Sequence, residues 1–357
     1  MREEIQLRAL KRISPSLLTS LRKCPFKVVL SNNFKSPLLP YSPLNHLGIV
    51  IHHCIDMIYK NKINGIEEFN KEWDSCVEQE ESKLLKRGFG YYLPLRDNVE
   101  GYAIKKLQTQ ALIQIKSNNI GLNKTNTHTS SIQTEKFLKS KDGKIGGKVD
   151  LIHHNNNVTK LCDFKTGKIF EEEGEIKKDY EDQLKLYGYL YNQEFGNYPH
   201  TLSIIDLQKK EYFVEFTSEE CEEIGEFSKN RLDEINQLII NKNYTSLANP
   251  NKENCKNCLY RPACKYYWKD NKIQFDSKFQ DLIGELKDLK QYNNGDITVT
   301  IYSANNHFKI YHLNKEFKNE LSIKETIAAF NLIKIDEFKY KALKTTRIFK
   351  YNMFEIK

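Results

Sequence analysis

The 357-residue chain has no apolar run near the roughly 20 residues that a helix needs to cross a bilayer, so no segment reads as a membrane span. Its opening, MREEIQLRALKRI, lacks the apolar stretch of a signal peptide, and a cytoplasmic location is expected. No G-x-x-x-x-G-K-S/T segment occurs, which excludes a P-loop motor within the chain; any unwinding would come from a partner. Composition does not make disorder the default, because 39% of the residues are hydrophobic, enough for one substantial core with room for a smaller second one. Charge is plentiful: 55 Lys+Arg against 47 Asp+Glu leave +8, a modest excess that suits a polyanionic partner without naming it.

A disulfide framework is also not expected, since eight cysteines in a reducing compartment do not form four bridges. Cys54, Cys76, Cys162 and Cys221 are scattered and read as small core residues. The other four are patterned: Cys24, followed by Pro25, and Cys255, Cys258 and Cys264 within CKNCLYRPAC. Thiolates at such spacing bind a metal centre, and by chemistry alone four of them could hold zinc or an iron-sulfur cluster. Either would close a very long loop, which restricts the unfolded chain and ties the N-terminal region to a distant segment.

The first 120 residues read as helical. Ser14-Pro15-Ser16 suits a helix start, and GIVIHHCIDMIY, IEEFNKEWDSCVEQEESKLL and Ala103 to Ile115 repeat apolar residues every three to four positions. From about Ser131 the pattern turns strand-like through SIQTEKFLK, KIGGKVDLIHH and VTKLCDFK, with Asn155-Asn156-Asn157 as a turn. A helix over about 178–194, a hairpin around Lys209-Lys210 and a helix over 219–240 complete an expected α/β core.

In LCDFK, Asp163 and Lys165 lie two apart on an expected strand and share a face, while Phe164 points away. Asp150 ends the preceding GGKVD, where strand pairing would bring its carboxylate near Asp163. Two convergent carboxylates suit a hard cation such as Mg²⁺, and Lys165 could steady an attacking water and the charge on a phosphate. A bare D-x-K is far more often a solvated strand end, so its surroundings decide.

Those surroundings form an ordered series: His52 four residues after Gly48, then Asp150, then Asp163-Phe164-Lys165-Thr166-Gly167, then Gln183 and Tyr187. The series resembles the PD-(D/E)XK superfamily, and within it the RecB-like nucleases, with their helical His, G-x-x-D, D-x-K-T-G and Q-x-x-x-Y. The resemblance implies His52, Asp150, Asp163 and the Phe164 carbonyl as ligands of Mg²⁺ or Mn²⁺, with Asp150, Asp163, Lys165, Gln183 and Tyr187 forming the catalytic set. His53 remains an alternative to His52, since the two differ only in their spacing from Gly48. Glu135, one strand before the Asp150 motif, reads as an exposed alternate residue, with an additional acidic group of the site as the alternative. Cys24, Cys255, Cys258 and Cys264 resemble the iron-sulfur staple of one RecB-like branch, shared by CRISPR spacer-acquisition nucleases and the AddB nuclease domain, which implies a structural [4Fe-4S] cluster.

The expected architecture is α/β: a restriction-endonuclease-like core with a mixed central sheet, an N-terminal helical region, an iron-sulfur clasp and a small α+β C-terminal extension. The expected division is a nuclease domain over 1–268, with its helical region over 1–125, a catalytic core over 126–245 and the Cys cluster over 246–268, then an accessory domain over 275–357. In the extension, FDSKFQDLIGELKDLKQY reads as a helix, DITVTIYS and HFKIYHL as strands, and Ser322 to Glu325 as a capping-box helix start. FKYKALKTTRIFKYN interleaves cations with rings, so Lys344, Arg347, Phe349, Lys350 and Tyr351 are candidates for contact with nucleic acid; a basic strand of a small domain is the plainer alternative. The N-terminal cations Arg2, Arg8, Lys11, Arg12, Arg22, Lys23 and Lys27 could add to such a surface. The function expected is metal-dependent hydrolysis of DNA, on single strands or ends, with polarity and pathway open among repair, CRISPR adaptation and antiviral defence. The alternative is a non-catalytic or helicase-tethered DNA-binding subunit of a larger complex.

Overall fold

The computed structural model describes residues 3–114, 130–269, 279–351 and 353–357. Arg2, the helix end expected at Ile115, and the first residues of the extension, 275–278, lie outside the described residues. The chain divides into two compact units, one of residues 10–22 and 42–237, the other of 1–9, 23–41 and 238–357.

In the first unit, α3 (Pro43–Tyr59) opens on a proline, whose missing N–H costs nothing in a first turn. It buries Leu47, Val50, Ile51, Cys54, Ile55 and Ile58, the three-to-four spacing of one helix face. The following α4 (Ile66–Lys86) carries Glu67 and Glu68 in its first turn and Lys83 and Lys86 in its last, each matched to the helix dipole. Two short helices, α5 (Leu95–Asn98) and α6 (Tyr102–Gln110), complete the helical layer; α1 (Leu18–Lys23) and α2 (Pro25–Asn33) precede it in the chain.

Five strands follow: β2 (Ser130–Lys139), β3 (Gly146–Asn155), β4 (Val158–Lys165), β5 (Thr201–Asp206) and β6 (Glu211–Val214), β1 being Glu3–Ile5. They form one sheet in chain order, antiparallel except where β4 runs parallel to β5. That parallel pair requires a crossover, supplied by α7 (Lys178–Phe195). The turns are where polar residues adopt left-handed backbone, Asn156 at φ +54° and Lys209 at φ +72°. One sheet face sends Leu151, Cys162 and Phe164 into a cluster with Leu47, Ile51, Phe69 and Trp73. The other sends Val149, Ile152 and Leu161 against Leu184, Tyr187 and Leu190 of α7 and Ile224 of α8 (Ser218–Ile240). Each large apolar side chain so buried stabilises by about 1.5–3 kcal/mol, and the two clusters fix which way each β4 residue faces.

The second unit is mainly β. Strands β7 (Phe279–Gln291), β8 (Ile297–Ser303), β9 (Asn306–Leu313), β10 (Thr326–Lys334) and β11 (Lys339–Lys350) close into a barrel of order β10-β11-β9-β8-β7. Only the β11–β9 contact is parallel. A parallel pair of β1 with β12 (Phe354–Ile356) lies beside it in the same unit.

Two expectations for the extension fail here. Residues 279–291 form β7, not a helix: Leu282, Leu286 and Leu289 recur at helical spacing because register shifts around residue 287 change which residues face inward. Gly284 permits this strand its close approach, since a Cβ there would lie 2.3 Å from Ile301 Cγ2. Likewise Ser322 to Glu325 starts no helix but leads into β10, where Ile327, Ala328, Ala329 and Phe330 are consecutively buried. The extension is therefore a barrel with one 3-10 turn, Lys315–Glu320, in place of an α+β domain. The expected cut between 268 and 275 also crosses a shared core, in which Leu39, Cys255 and Tyr267 pack with Ala328 and Phe330.

Candidate active site

Strand β4 presents Asp163 and Lys165 on one face, and α7 lays Gln183 across them. The Lys165 Nζ lies 2.7 Å from Asp163 Oδ2 and donates to Gln183 Oε1 at 3.1 Å, while Gln183 Nε2 donates to Asp163 Oδ1 at 3.1 Å. The contact at Oδ2 is one of charge with charge; that buried oxygen accepts no directed hydrogen bond. The Lys165 ammonium also stands 4.3 Å from the centre of the Tyr180 ring. Its position is thus held from three sides.

Asp150 on β3 accepts the Phe164 backbone N–H through Oδ2 at 2.7 Å, and His52 Nδ1 of α3 stands 3.6 Å from the same oxygen. Burial first, and then the facing Asp163 carboxylate, push the Asp150 carboxyl well above the usual range. Burial holds His52 below its ordinary value, which favours the neutral imidazole that binds metal. With both carboxylates ionised they would outnumber the one ammonium, an excess that a bound cation would neutralise. By chemistry His52, Asp150 and Asp163, the last with an oxygen that no hydrogen bond satisfies, are donors that suit a hard divalent cation, but among the described residues no three His, Cys, Asp or Glu side chains stand close enough to hold one as placed.

His53 turns elsewhere, its Nε2 2.6 Å from Glu72 Oε1 on α4. The structure thereby agrees with the spacing from Gly48, which favours His52 over His53. Tyr187 does not reach the carboxylates by a hydrogen bond; its hydroxyl donates to the Lys148 carbonyl at 2.5 Å and pins β3 to α7. Burial raises its pKa, so it stays a neutral phenol. Phe164 buries its ring beside Tyr59, at 5.7 Å between centroids.

A cleft of about 750 Å³ opens over these groups, lined by His52, Lys165, Thr166, Tyr180, Glu135 and Lys148 among others. Sequence reading missed Tyr180, although it lies three residues before Gln183 and so one turn away on the same helix face. It also preferred an exposed alternate residue to an acidic group of the site for Glu135. Instead Glu135 sits within β2 in left-handed backbone, at φ +51°, lining the cleft with its carboxylate 3.5 Å from Lys148 Nζ. No spacing signal marks such a backbone.

The four patterned cysteines all fall in the second unit. Negative charge on Cys24 and Cys258 disfavours ionisation of Cys255, and Cys24 acts in the same way on Cys258 and Cys264, so the four sulfurs are electrostatic neighbours. Burial raises Cys255 to about 11 and Cys264 to about 12, leaving thiols rather than thiolates. Among the described residues, no group of three or more His, Cys, Asp or Glu stands at the spacing of a completed metal shell. Arg261, 3% exposed, donates to the Cys258 carbonyl at 2.9 Å and pairs with Asp281 of β7 at 2.7 Å, tying the cysteine segment to the barrel. By contrast Cys54, Cys162 and Cys221 are fully buried core residues, as expected.

The C-terminal candidates separate. Lys344 and Tyr351 are exposed, but the Phe349 ring packs against Phe330 and Phe354, and Lys350 pairs with Glu325 at 2.8 Å.

Among solved structures, the chain resembles a protein of Eubacterium rectale provisionally assigned as an exonuclease, at 11% identity over 65% of this chain and 82% of that one, with a TM-score of 0.38. It also resembles the tetrameric p202 HIN2, at 15% identity over 23% of this chain and 45% of the other, TM-score 0.19. A murine DNA-binding protein bound to double-stranded DNA matches at 6% identity over 63% of this chain and 98% of that one, TM-score 0.20. The chain thus spans about half the length of the p202 HIN2 structure, and scores this low establish no common fold. No curated protein matches it in sequence. The sequence profile of the PD-(D/E)XK nuclease superfamily, however, matches residues 12–265, well over half of the chain and the whole of the site just described. On that match, the chain belongs to the PD-(D/E)XK nuclease superfamily.

Proposed function

We propose that this protein is a metal-dependent deoxyribonuclease acting on single strands or DNA ends, in repair, CRISPR adaptation or antiviral defence. The observation that carries the reading is the closed ring of Lys165, Gln183 and Asp163 beside Asp150 and His52, because it places one fixed ammonium next to a carboxylate pair that a divalent cation would neutralise. In this reading His52, Asp150, Asp163 and the Phe164 carbonyl hold Mg²⁺ or Mn²⁺. The bound cation supplies Lewis-acid polarisation of the phosphate and a more acidic water. Lys165 stands where negative charge builds on the phosphate, and Gln183 with the Tyr180 ring keeps it there, so little reorganisation accompanies reaction. Tyr187 holds β3, and with it Asp150, in register. Cys24, Cys255, Cys258 and Cys264 are the proposed [4Fe-4S] ligands, and residues 275–357 serve as an accessory domain for nucleic acid or a partner.

The test is direct. Protein purified anaerobically is incubated with end-labelled single- and double-stranded DNA and Mg²⁺ or Mn²⁺. Asp163→Ala and Lys165→Ala are each expected to lower the cleavage rate by about 10³-fold while DNA binding persists. Near-wild-type cutting in either variant overturns the assignment.

A further inference from the structure

The barrel has one face whose chemistry the packing does not explain. On β8, β9 and β11 alternate residues turn outward, and the register sets them in rows: Tyr302 opposite His307, Thr300 opposite Lys309, Lys309 opposite Lys339, and Tyr311 opposite Lys341. The inward alternates, among them Val299, Ile301, Ile310, Tyr340 and Ala342, make the barrel core. The outward set is cations, rings and hydroxyls, with no carboxylate on any of these strands.

The cations are available. Lys309 and Lys341 are exposed and enter no ion pair among the described residues; Lys339 is shared with Asp336 at 2.9 Å. The rings are available too, His307 being exposed 5.0 Å from Tyr302 and Tyr311 half-buried beside Lys339. Adjacent strands lie about 4.8 Å apart, so rings and ammonium groups alternate within reach of successive nucleotides. Such a mixture suits a chain of phosphates bearing flat, unpaired bases, because each base offers a ring face and each phosphate a charge. A duplex would keep its bases stacked inside and leave the rings unused.

We propose that this face of β8, β9 and β11 binds single-stranded nucleic acid, with Tyr302, His307 and Tyr311 stacking on bases and Lys309 and Lys341 contacting phosphates. It rests on the reading of the chain as acting on DNA, but not on its chemistry. It also moves strand contact away from Phe349 and Lys350, which are committed to packing and to an ion pair.

The experiment is a fluorescence-anisotropy titration of the full-length protein with a labelled 20-nucleotide oligothymidylate at two salt concentrations. A chelator suppresses cleavage. The double variant Lys309→Gln/Lys341→Gln should bind about tenfold more weakly at low salt and lower the slope of log affinity against log salt by about 1.4, two phosphate contacts at about 0.7 each. Tyr311→Leu, which keeps apolar cover over the barrel, should lose about tenfold with the salt slope unchanged. Lys62→Gln, at an exposed lysine of the other unit that no reading places in contact with nucleic acid, serves as control and should change little. Unchanged affinity in both the lysine and tyrosine variants overturns the proposal. So does a lysine-only effect that a polyglutamate peptide competes away, which would assign the face to an acidic protein. Protein that binds through this face yet cuts no DNA would overturn the nuclease reading and leave this one standing.

Discussion

At the scale of single residues, the site is a set of charges whose cost is visible before any cation arrives. Asp150 has a folded-state pKa above its unfolded value, raised by burial and by Asp163. For an acid shifted upward the fold favours the protonated form, so this contribution to stability is present at acid pH and is lost as pH rises through the raised value. Asp150→Asn should therefore abolish cleavage yet raise the melting temperature of chelator-treated protein at pH 7, by about 2–4 °C per kcal/mol relieved in a unit of this size. The gain should shrink on acidification. A calorimetric scan at two pH values checks both signs. Glu135 offers a parallel case: its left-handed backbone costs on the order of 1–3 kcal/mol. Glu135→Gly should stabilise the cation-free protein, while raising the Mn²⁺ concentration needed for half-maximal cleavage if the carboxylate helps attract the cation.

Between neighbouring elements, contact at a glycine sets the geometry. A Cβ on Gly147 would lie 2.7 Å from Pro15 Cδ and 3.3 Å from the Tyr187 hydroxyl. Gly147→Ala should cost about 1–3 kcal/mol by overpacking and displace Tyr187 from the Lys148 carbonyl, so urea unfolding and kcat should both fall. This explains physically why a glycine stands three residues before Asp150. The helix α7 was legible because Gln183 and Tyr187 are one turn apart, and the structure puts Gln183 on Asp163 and Lys165. Strand β7 was not legible. Its bulge at Lys287 converts an alternating pattern into one with helical spacing, and only pairing with β8 reveals it.

For the whole molecule, the cysteines raise the largest question. If Cys24, Cys255, Cys258 and Cys264 hold iron and sulfide, anaerobic protein should be brown, with absorbance near 400 nm and about four irons per chain. Because burial keeps Cys255 and Cys264 protonated, loading must release protons, and cluster retention should weaken as pH falls. Cys24→Ser should release the cluster and lower the melting temperature. One zinc per chain in colourless protein would identify the other metal. Deleting residues after 274 is not a clean test of the barrel, since it would strip Ala328 and Phe330 from the cluster that covers Cys255.

The order of motifs, His52, Asp150, Asp163-x-Lys165 and Gln183, and the helix and strand periods around them were determined by sequence alone, because spacing along one element fixes which side chains share its face. So was the family. Tertiary structure decided what depends on a neighbour: that His52 and not His53 meets Asp150, that Glu135 lines the cleft from a left-handed backbone, that Phe349 is packing and that the C-terminal segment closes as a barrel. Those outcomes rest on strand register and on contacts between residues far apart in the chain, and no local spacing encodes either.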